Sequence, residues 1–184
     1  MKRSLKILLL LIFGVMFLCS GVYAQELKEI GNWTVFIEVN PLTDEGGILL
    51  MHVTDEDYNK NKLLNDMKML IIARIETGKQ PALFITWNKY LGDNTLIRYR
   101  FDKGEIHEEH WTQSENKEAL SYPEDKELKS FIRNLLNAER LIVGIKPHNK
   151  SEEVAVFSLE GLKEAITPYL ANVGWEDLLE ESTE

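Results

Sequence analysis

The sequence predicts an α+β fold: a mostly antiparallel sheet, or a small barrel or sandwich, of about eight strands, with two helices in the C-terminal half. Two observations support this prediction. Short segments rich in β-branched and aromatic residues recur between residues 33 and 159. Apolar residues at helical spacing are confined to residues 126–138 and to a segment that begins near residue 160. The strands therefore do not alternate regularly with helices, which favours antiparallel pairing.

The first 24 residues have the pattern of an export signal that is cleaved after Ala24. Three basic residues precede an apolar run over residues 7–18, and Val22 and Ala24 occupy the −3 and −1 positions. The alternative is an uncleaved anchor, but the apolar stretch from residue 7 to residue 22 is shorter than the roughly 20 residues of a spanning helix. We therefore predict a periplasmic protein without stable membrane insertion after cleavage.

Cys19 is the only cysteine and lies inside this leader. Cleavage after Ala24 would leave no disulfide and no cysteine ligand. A lipid anchor at Cys19 and a fully secreted protein are the alternatives, and the bulky residues at positions 16–18 argue against lipidation.

The leader contains three basic and no acidic residues, so its removal changes the formal charge from −9 to −12. This charge opposes binding to nucleic acid and favours solubility or a basic partner.

The chain after the leader suits one domain, predicted over residues 25–175, and an acidic, disordered tail over residues 176–184. Residues 25–30 are predicted as a lead-in without regular structure. The strands predicted in the first half are residues 33–39, 48–53, 69–75 and 82–87.

The best hairpin signal follows. Ile97, Tyr99 and Phe101 alternate with Arg98 and Arg100, so apolar and basic side chains point to opposite faces of one strand. Residues 102–105 supply a turn, and residues 106–112 return. Pairing of residue 101 with residue 106 would place Arg98 opposite a glutamate at position 109, and a shift of one residue would lose that pair.

The second half contains the helical segments. The helix predicted over residues 126–138 has an apolar stripe, and strands are predicted over residues 141–146 and 154–159. Ser158 is a candidate cap for the last helix, and Pro168 should kink it or end it early. The residues of the first apolar stripe are Leu128, Phe131, Ile132, Leu135 and Leu136.

No pattern for catalysis, a metal or a cofactor is visible. His107-Glu108-Glu109-His110 lacks the helical spacing of a zinc-protease site, and on a strand its histidines would face opposite sides. No nucleophile elbow, phosphate loop or dinucleotide fingerprint is present. We therefore predict no catalytic residues, no metal and no cofactor.

Five residues are candidates for binding a protein partner. Arg98 and Arg100 could bind an acidic group, or they could pair with the abundant glutamates nearby. Trp87, Tyr90 and Trp111 could form a contact surface, or they could pack in the core or at its rim.

The succession of motifs over most of the chain resembles the small exported proteins associated with type VI secretion that are called VasI-like. The resemblance implies a single exported α+β domain without known enzymatic activity. Many members carry a cysteine near the position of Ile75 or Glu76 and another just before the terminal Gly-Trp pair, where this chain has Val173. The disulfide is thus absent, and packing by Leu170, Val173 and Trp175 should replace it. The motifs are Phe84-Ile85-Thr86-Trp87, Tyr90-Leu91-Gly92, Arg98-Tyr99-Arg100-Phe101-Asp102, Trp111, Phe131-Ile132-Arg133-Asn134-Leu135-Leu136, Val156-Phe157-Ser158-Leu159 and Gly174-Trp175.

Two hypotheses about function follow. The first is an exported periplasmic accessory protein, associated with type VI secretion, that acts by protein–protein contact and is not an enzyme. The alternative is an acidic periplasmic inhibitor or immunity protein that blocks a basic hydrolase.

Overall fold

In the part of the chain that the structure describes, the strands form two antiparallel sheets, and two α-helices follow in the C-terminal half. The computed structural model describes residues 24–39, 42, 46–54, 68–73, 75, 80–87, 89–93, 95–123, 127–146 and 152–179. The predicted leader, apart from its last residue, and residues 55–67, between two predicted strands, lie outside these ranges.

The larger sheet has seven described strands in the order β1-β2-β3-β4-β5-β9-β8. Its first five strands follow one another as neighbours, so this part is a meander in which every pair is antiparallel. The strands are β1 Ala24–Ile30, β2 Trp33–Val39, β3 Gly46–Val53, β4 Met69–Ala73, β5 Ala82–Thr86, β8 Thr112–Gln113 and β9 Ala119–Ser121.

The smaller sheet has four described strands in the order β11-β10-β6-β7. The chain passes between the two sheets at Trp111, since β7 belongs to the smaller sheet and β8 to the larger. The strands are β6 Leu96–Phe101, β7 His107–His110, β10 Arg140–Ile145 and β11 Glu153–Ser158.

Two helices and two 3₁₀ segments complete the described structure. Helix α1 covers Leu128–Leu136 and buries the predicted apolar stripe except Leu136, which is half-buried. Helix α2 covers Leu162–Ile166 and continues as a 3₁₀ helix over Thr167–Val173, with Pro168 in its first turn. The change of helix type at Pro168 confirms that proline ends the α-helix early.

One hydrophobic core is shared by the inner faces of both sheets and by the helices. The ring of His52 on β3 lies 6.0 Å from that of Phe157 on β11, measured between centroids, and thus joins the two sheets. The predicted packing of the C-terminal segment against the core is also present. Leu170 is buried, and Val173 and Trp175 pack partly buried against the same core.

Two coarse predictions need correction. The described strands do not close into a barrel, which was one of the predicted alternatives, and they number eleven rather than about eight. The largest single difference is β1, which we expected to be an irregular lead-in. Its mixed polar sequence lacks clear alternation, and its pairing with β2 across the tight turn at Gly31 creates the strand.

The predicted register of the β6–β7 hairpin is wrong by one residue. Arg98 lies opposite Glu108, not Glu109, and Tyr99 lies opposite His107. The turn is tightened by a hydrogen bond from the Gly104 N–H to the Phe101 carbonyl at 2.8 Å. Asp102, at φ +48°, accepts hydrogen bonds from the first N–H groups of β10. These contacts with β10 are tertiary, so the hairpin sequence alone does not determine the turn.

The start of α2 also differs from the prediction. Gly161, at φ +83°, precedes the helix, and no side chain caps it. The Ser158 hydroxyl instead accepts a hydrogen bond from the Glu160 N–H at 3.4 Å. A Cβ on Gly161 would lie 3.0 Å from the Cα of Gly31, so the two glycines allow the β1–β2 turn and the start of α2 to touch.

The acidic tail does not begin at residue 176 as predicted. Glu176–Leu179 form a 3₁₀ turn, and Leu178 is buried in the core. Asp177 forms ion pairs with Lys129 and Arg133 of α1, at 2.6 and 3.3 Å. The hydrogen bond from Lys129 and the nearby guanidinium lower the pKa of the Asp177 carboxyl. Residues 180–184 lie outside the described part of the chain.

Candidate functional site

The four-stranded sheet has one buried face and one accessible face. Side chains alternate along each strand, so directly paired residues share a face. We define the outer face by Arg98 and Arg100 on β6, Ile142 on β10, and Val154 and Val156 on β11. Val154 is 52% exposed and Val156 is 39% exposed, and both arginines are half-exposed. The outer face therefore combines guanidinium groups with accessible aliphatic side chains.

Arg98 is held by two carboxylates on this surface. Its Nε lies 3.2 Å from Glu108 Oε2, and its Nη1 lies 3.2 Å from Glu152 Oε1. The predicted pairing of Arg98 with a glutamate is therefore correct in kind, although the partner residue differs. All three side chains are substantially exposed, so these pairs contribute about 1 kcal/mol or less to stability.

Arg100 differs from Arg98 in having no ion pair or hydrogen bond within the described part of the chain. It lies opposite Ile142, which in turn lies opposite Val156, so its neighbours across the sheet are aliphatic. Ile106, 56% exposed, immediately precedes β7. In a chain with a net charge of −9, an unpaired guanidinium beside exposed aliphatic groups is the least expected feature of this face.

The buried face carries a different polar arrangement. Glu109 accepts a hydrogen bond from the Tyr99 hydroxyl at 3.1 Å and one from Trp111 Nε1 at 3.2 Å. The His107 ring stacks on Tyr99, with centroids 5.0 Å apart and planes 21° from parallel. Burial, and next the charge of Glu109, raise the pKa of the Tyr99 hydroxyl. This network satisfies polar groups at the rim of the core.

The sequence did not single out Glu109 for this role. The signal that could have indicated it is the spacing to Trp111, because residues two apart on an extended chain share a face. The correct register, which places Glu109 opposite Ile97 on the inner face, was needed as well.

The five predicted partner-binding residues do not form one surface. Trp87 and Trp111 are buried, so they belong to the core, which was the stated alternative for them. Tyr90 is 58% exposed in the segment between β5 and β6, and the Lys117 ammonium lies 5.9 Å from its ring centroid. Only Arg98 and Arg100 share the outer face.

The outer face is suited to binding another molecule. A guanidinium can donate two parallel hydrogen bonds to a carboxylate, and the adjacent aliphatic groups gain free energy when they are covered. No group of three or more His, Cys, Asp or Glu side chains in the described ranges is arranged to hold a metal ion. Within the same ranges, no helix has the length and apolar character that crossing a membrane requires.

Comparisons with known proteins bear on the fold only. No family model and no curated protein matches the sequence. The crystal structure of invasion associated protein B from Bartonella henselae is similar, with a TM-score of 0.50 and 14% sequence identity. The similarity covers 79% of this chain and 96% of that one. At this identity the similarity shows a shared fold and nothing about activity.

Proposed function

We propose that this chain is an exported periplasmic accessory protein that binds another protein through the outer face of its four-stranded sheet and catalyses no reaction. The observation that carries the proposal is Arg100, a half-exposed guanidinium without a described partner, flanked by accessible aliphatic side chains. Such a surface suits a partner that presents a carboxylate beside apolar groups.

The location of the protein rests on the leader pattern in residues 1–24. Cell fractionation and intact-mass measurement test it. The expected result is a periplasmic protein that starts at Gln25, whereas a lipidated Cys19 would contradict the soluble form.

The association with type VI secretion rests on the resemblance to VasI-like proteins. Neighbouring genes test it at little cost. Secretion-cluster genes beside this one would support the association, and an adjacent gene for a basic hydrolase would favour the inhibitor hypothesis.

Site-specific photo-cross-linking in cells tests the binding face. A photoreactive residue at Ile142 should give a discrete adduct with one protein. The same residue at Glu164, an exposed position on α2, is the control and should not give that adduct. Identical adducts from both positions would show that the outer face has no special role.

Reversing the charge of Arg100 then tests the observation on which the proposal rests. Arg100→Glu should weaken the interaction roughly tenfold or more, because it removes charge-assisted hydrogen bonds and introduces repulsion. Arg100→Lys should retain part of the affinity, and Arg100→Ala should change the free energy of unfolding by only about 0.5 kcal/mol. An interaction that is unchanged in folded Arg100→Glu would remove Arg100 from the site. If a basic hydrolase still bound that variant, the result would support the inhibitor hypothesis, in which the negative charge of the chain attracts the hydrolase.

A further inference from the structure

The two sheets, as far as the structure describes them, have four edges, of which three are protected against pairing with another chain and one is not. β7 consists of His107-Glu108-Glu109-His110, β8 has two residues, and β1 carries Glu26, Lys28 and Glu29. Charged side chains and short length are the usual means by which edge strands avoid association. β11 has neither protection, because its only charged residue, Glu153, is paired with Lys89.

The free edge of β11 offers backbone groups together with apolar side chains. β11 is the last strand in the order of the smaller sheet and pairs with β10 alone among the described strands. Val154 and Val156, the exposed valines of the outer face, lie along this edge. The backbone groups at the edge of a sheet, beside exposed valines, are complementary to another extended strand.

We propose that the occupant of this edge is β11 of a second copy of the chain, paired antiparallel about a two-fold axis. In an antiparallel pair, directly opposed residues share a face, so Val154 and Val156 must oppose outer-face residues. Placing Ala155 on the axis opposes Val154 of each copy to Val156 of the other. The four valines then form one cluster across the two-fold axis.

Charge supports a second copy in this register. Glu153 falls opposite Phe157, and Glu152 falls opposite Ser158, so no carboxylate faces a carboxylate across the axis. The strand is therefore self-complementary despite the net charge of −9. A strand from a different protein is the competing occupant, and the experiments below separate the two.

The dimer would have a continuous eight-stranded sheet built from two four-stranded sheets. It would also join the two outer faces side by side and present both copies of Arg100 on one surface. The inference does not rest on the proposed function, because Arg100 lies on β6, two strands away from the edge.

Sedimentation equilibrium of the chain without its leader, over a range of protein concentrations, tests the assembly. Wild type should change from monomer to dimer as concentration rises. Val156→Lys should raise the dimer dissociation constant roughly tenfold or more, because two ammonium groups enter the valine cluster. Ile106→Lys is the matched control, since Ile106 is also exposed, at 56% against 39% for Val156, but lies beside β7 at the opposite edge of the sheet, and it should not change the dissociation constant.

Two results would overturn the proposal. If the wild-type chain remains monomeric at millimolar concentration, no second copy binds the β11 edge. Equal effects of Val156→Lys and Ile106→Lys would place the contact elsewhere. Circular dichroism checks that both variants fold, and Val156→Ser provides a milder change that should weaken the dimer in the same direction.

Single-cysteine variants test the register, in a background without Cys19. An equal mixture of Val154→Cys and Val156→Cys chains should form the mixed disulfide dimer in preference to either homodimer, because these positions oppose each other across the axis. A statistical mixture of the three products would contradict the register. Arg100→Glu should leave the dimer unchanged, so loss of partner binding and loss of dimerisation can be told apart.

Discussion

The two faces of the four-stranded sheet are built from the same strands and differ in almost every physical property. On β6, Ile97 and Tyr99 are buried, whereas the alternating Arg98 and Arg100 are half-exposed. On β11, Phe157 is fully buried, whereas Val154 is 52% exposed. Even the carboxylates differ, since Glu109 accepts two hydrogen bonds at the rim of the core and Glu108 meets Arg98 in solvent.

The difference separates stability from recognition within one element. The inner face contributes aromatic packing among Tyr99, Trp111 and Phe131, with ring centroids 5.4 to 5.8 Å apart. The outer face contributes little to the core. Substitutions on the inner face should therefore lower stability, while those on the outer face should change association without unfolding the protein.

The largest expected effect comes from truncating an inner-face ring. Phe157→Ala should lower the free energy of unfolding by about 3–5 kcal/mol, because it leaves a cavity between the sheets beside His52. Val154→Ala on the same strand should change it by about 0.5 kcal/mol. Urea denaturation at low protein concentration measures both, and equal losses would refute the distinction between the faces.

The adjacent glutamates of β7 provide an intermediate test. Glu109→Ala should cost about 1–3 kcal/mol, because it removes the described acceptor of the Tyr99 hydroxyl and the Trp111 indole N–H. It should also lower the pKa of Tyr99, which the Glu109 charge helps to raise. Glu108→Ala should cost about 1 kcal/mol or less. Urea denaturation and ultraviolet titration of tyrosine distinguish the two variants, and similar costs would mean that the Glu109 network is not structural.

The smallest effect is expected at an exposed ion pair outside the sheet. The folded-state pKa of Asp177 is lowered, so its contribution to stability is present above the pKa of the unfolded chain and is lost as pH falls through the folded value. Asp177→Asn should therefore melt slightly below wild type at pH 7, and the difference should shrink below about pH 4 and vanish once the pH is below the folded-state pKa of Asp177. Thermal melts across this range measure it, with Glu176→Gln as the neighbouring control. A difference that persists in acid would point to a cause other than the carboxylate charge.

Sequence patterns predicted those features that depend on neighbours along the chain. Alternation predicted β2, β5 and β6, and the apolar stripe predicted α1. The same alternation separated Arg98 and Arg100 from Tyr99, and the structure places them on opposite faces. Strand β1 was missed because its pattern is weak and its partner strand supplies the pairing.

What the sequence by itself determined is which side of a strand each residue occupies, since the period of two is local geometry. Only the tertiary structure decided which residues meet across strands and which charges remain unpaired. The Asp102 contacts with β10 hold the turn of the hairpin, and the observed register places Glu109 half-buried at the rim of the core as an acceptor and leaves Glu108 to Arg98. Arg100 is without a described partner because β10 presents Ile142 opposite it, more than forty positions away along the chain. Contacts at such sequence separation depend on how the sheets assemble, and no local pattern specifies them.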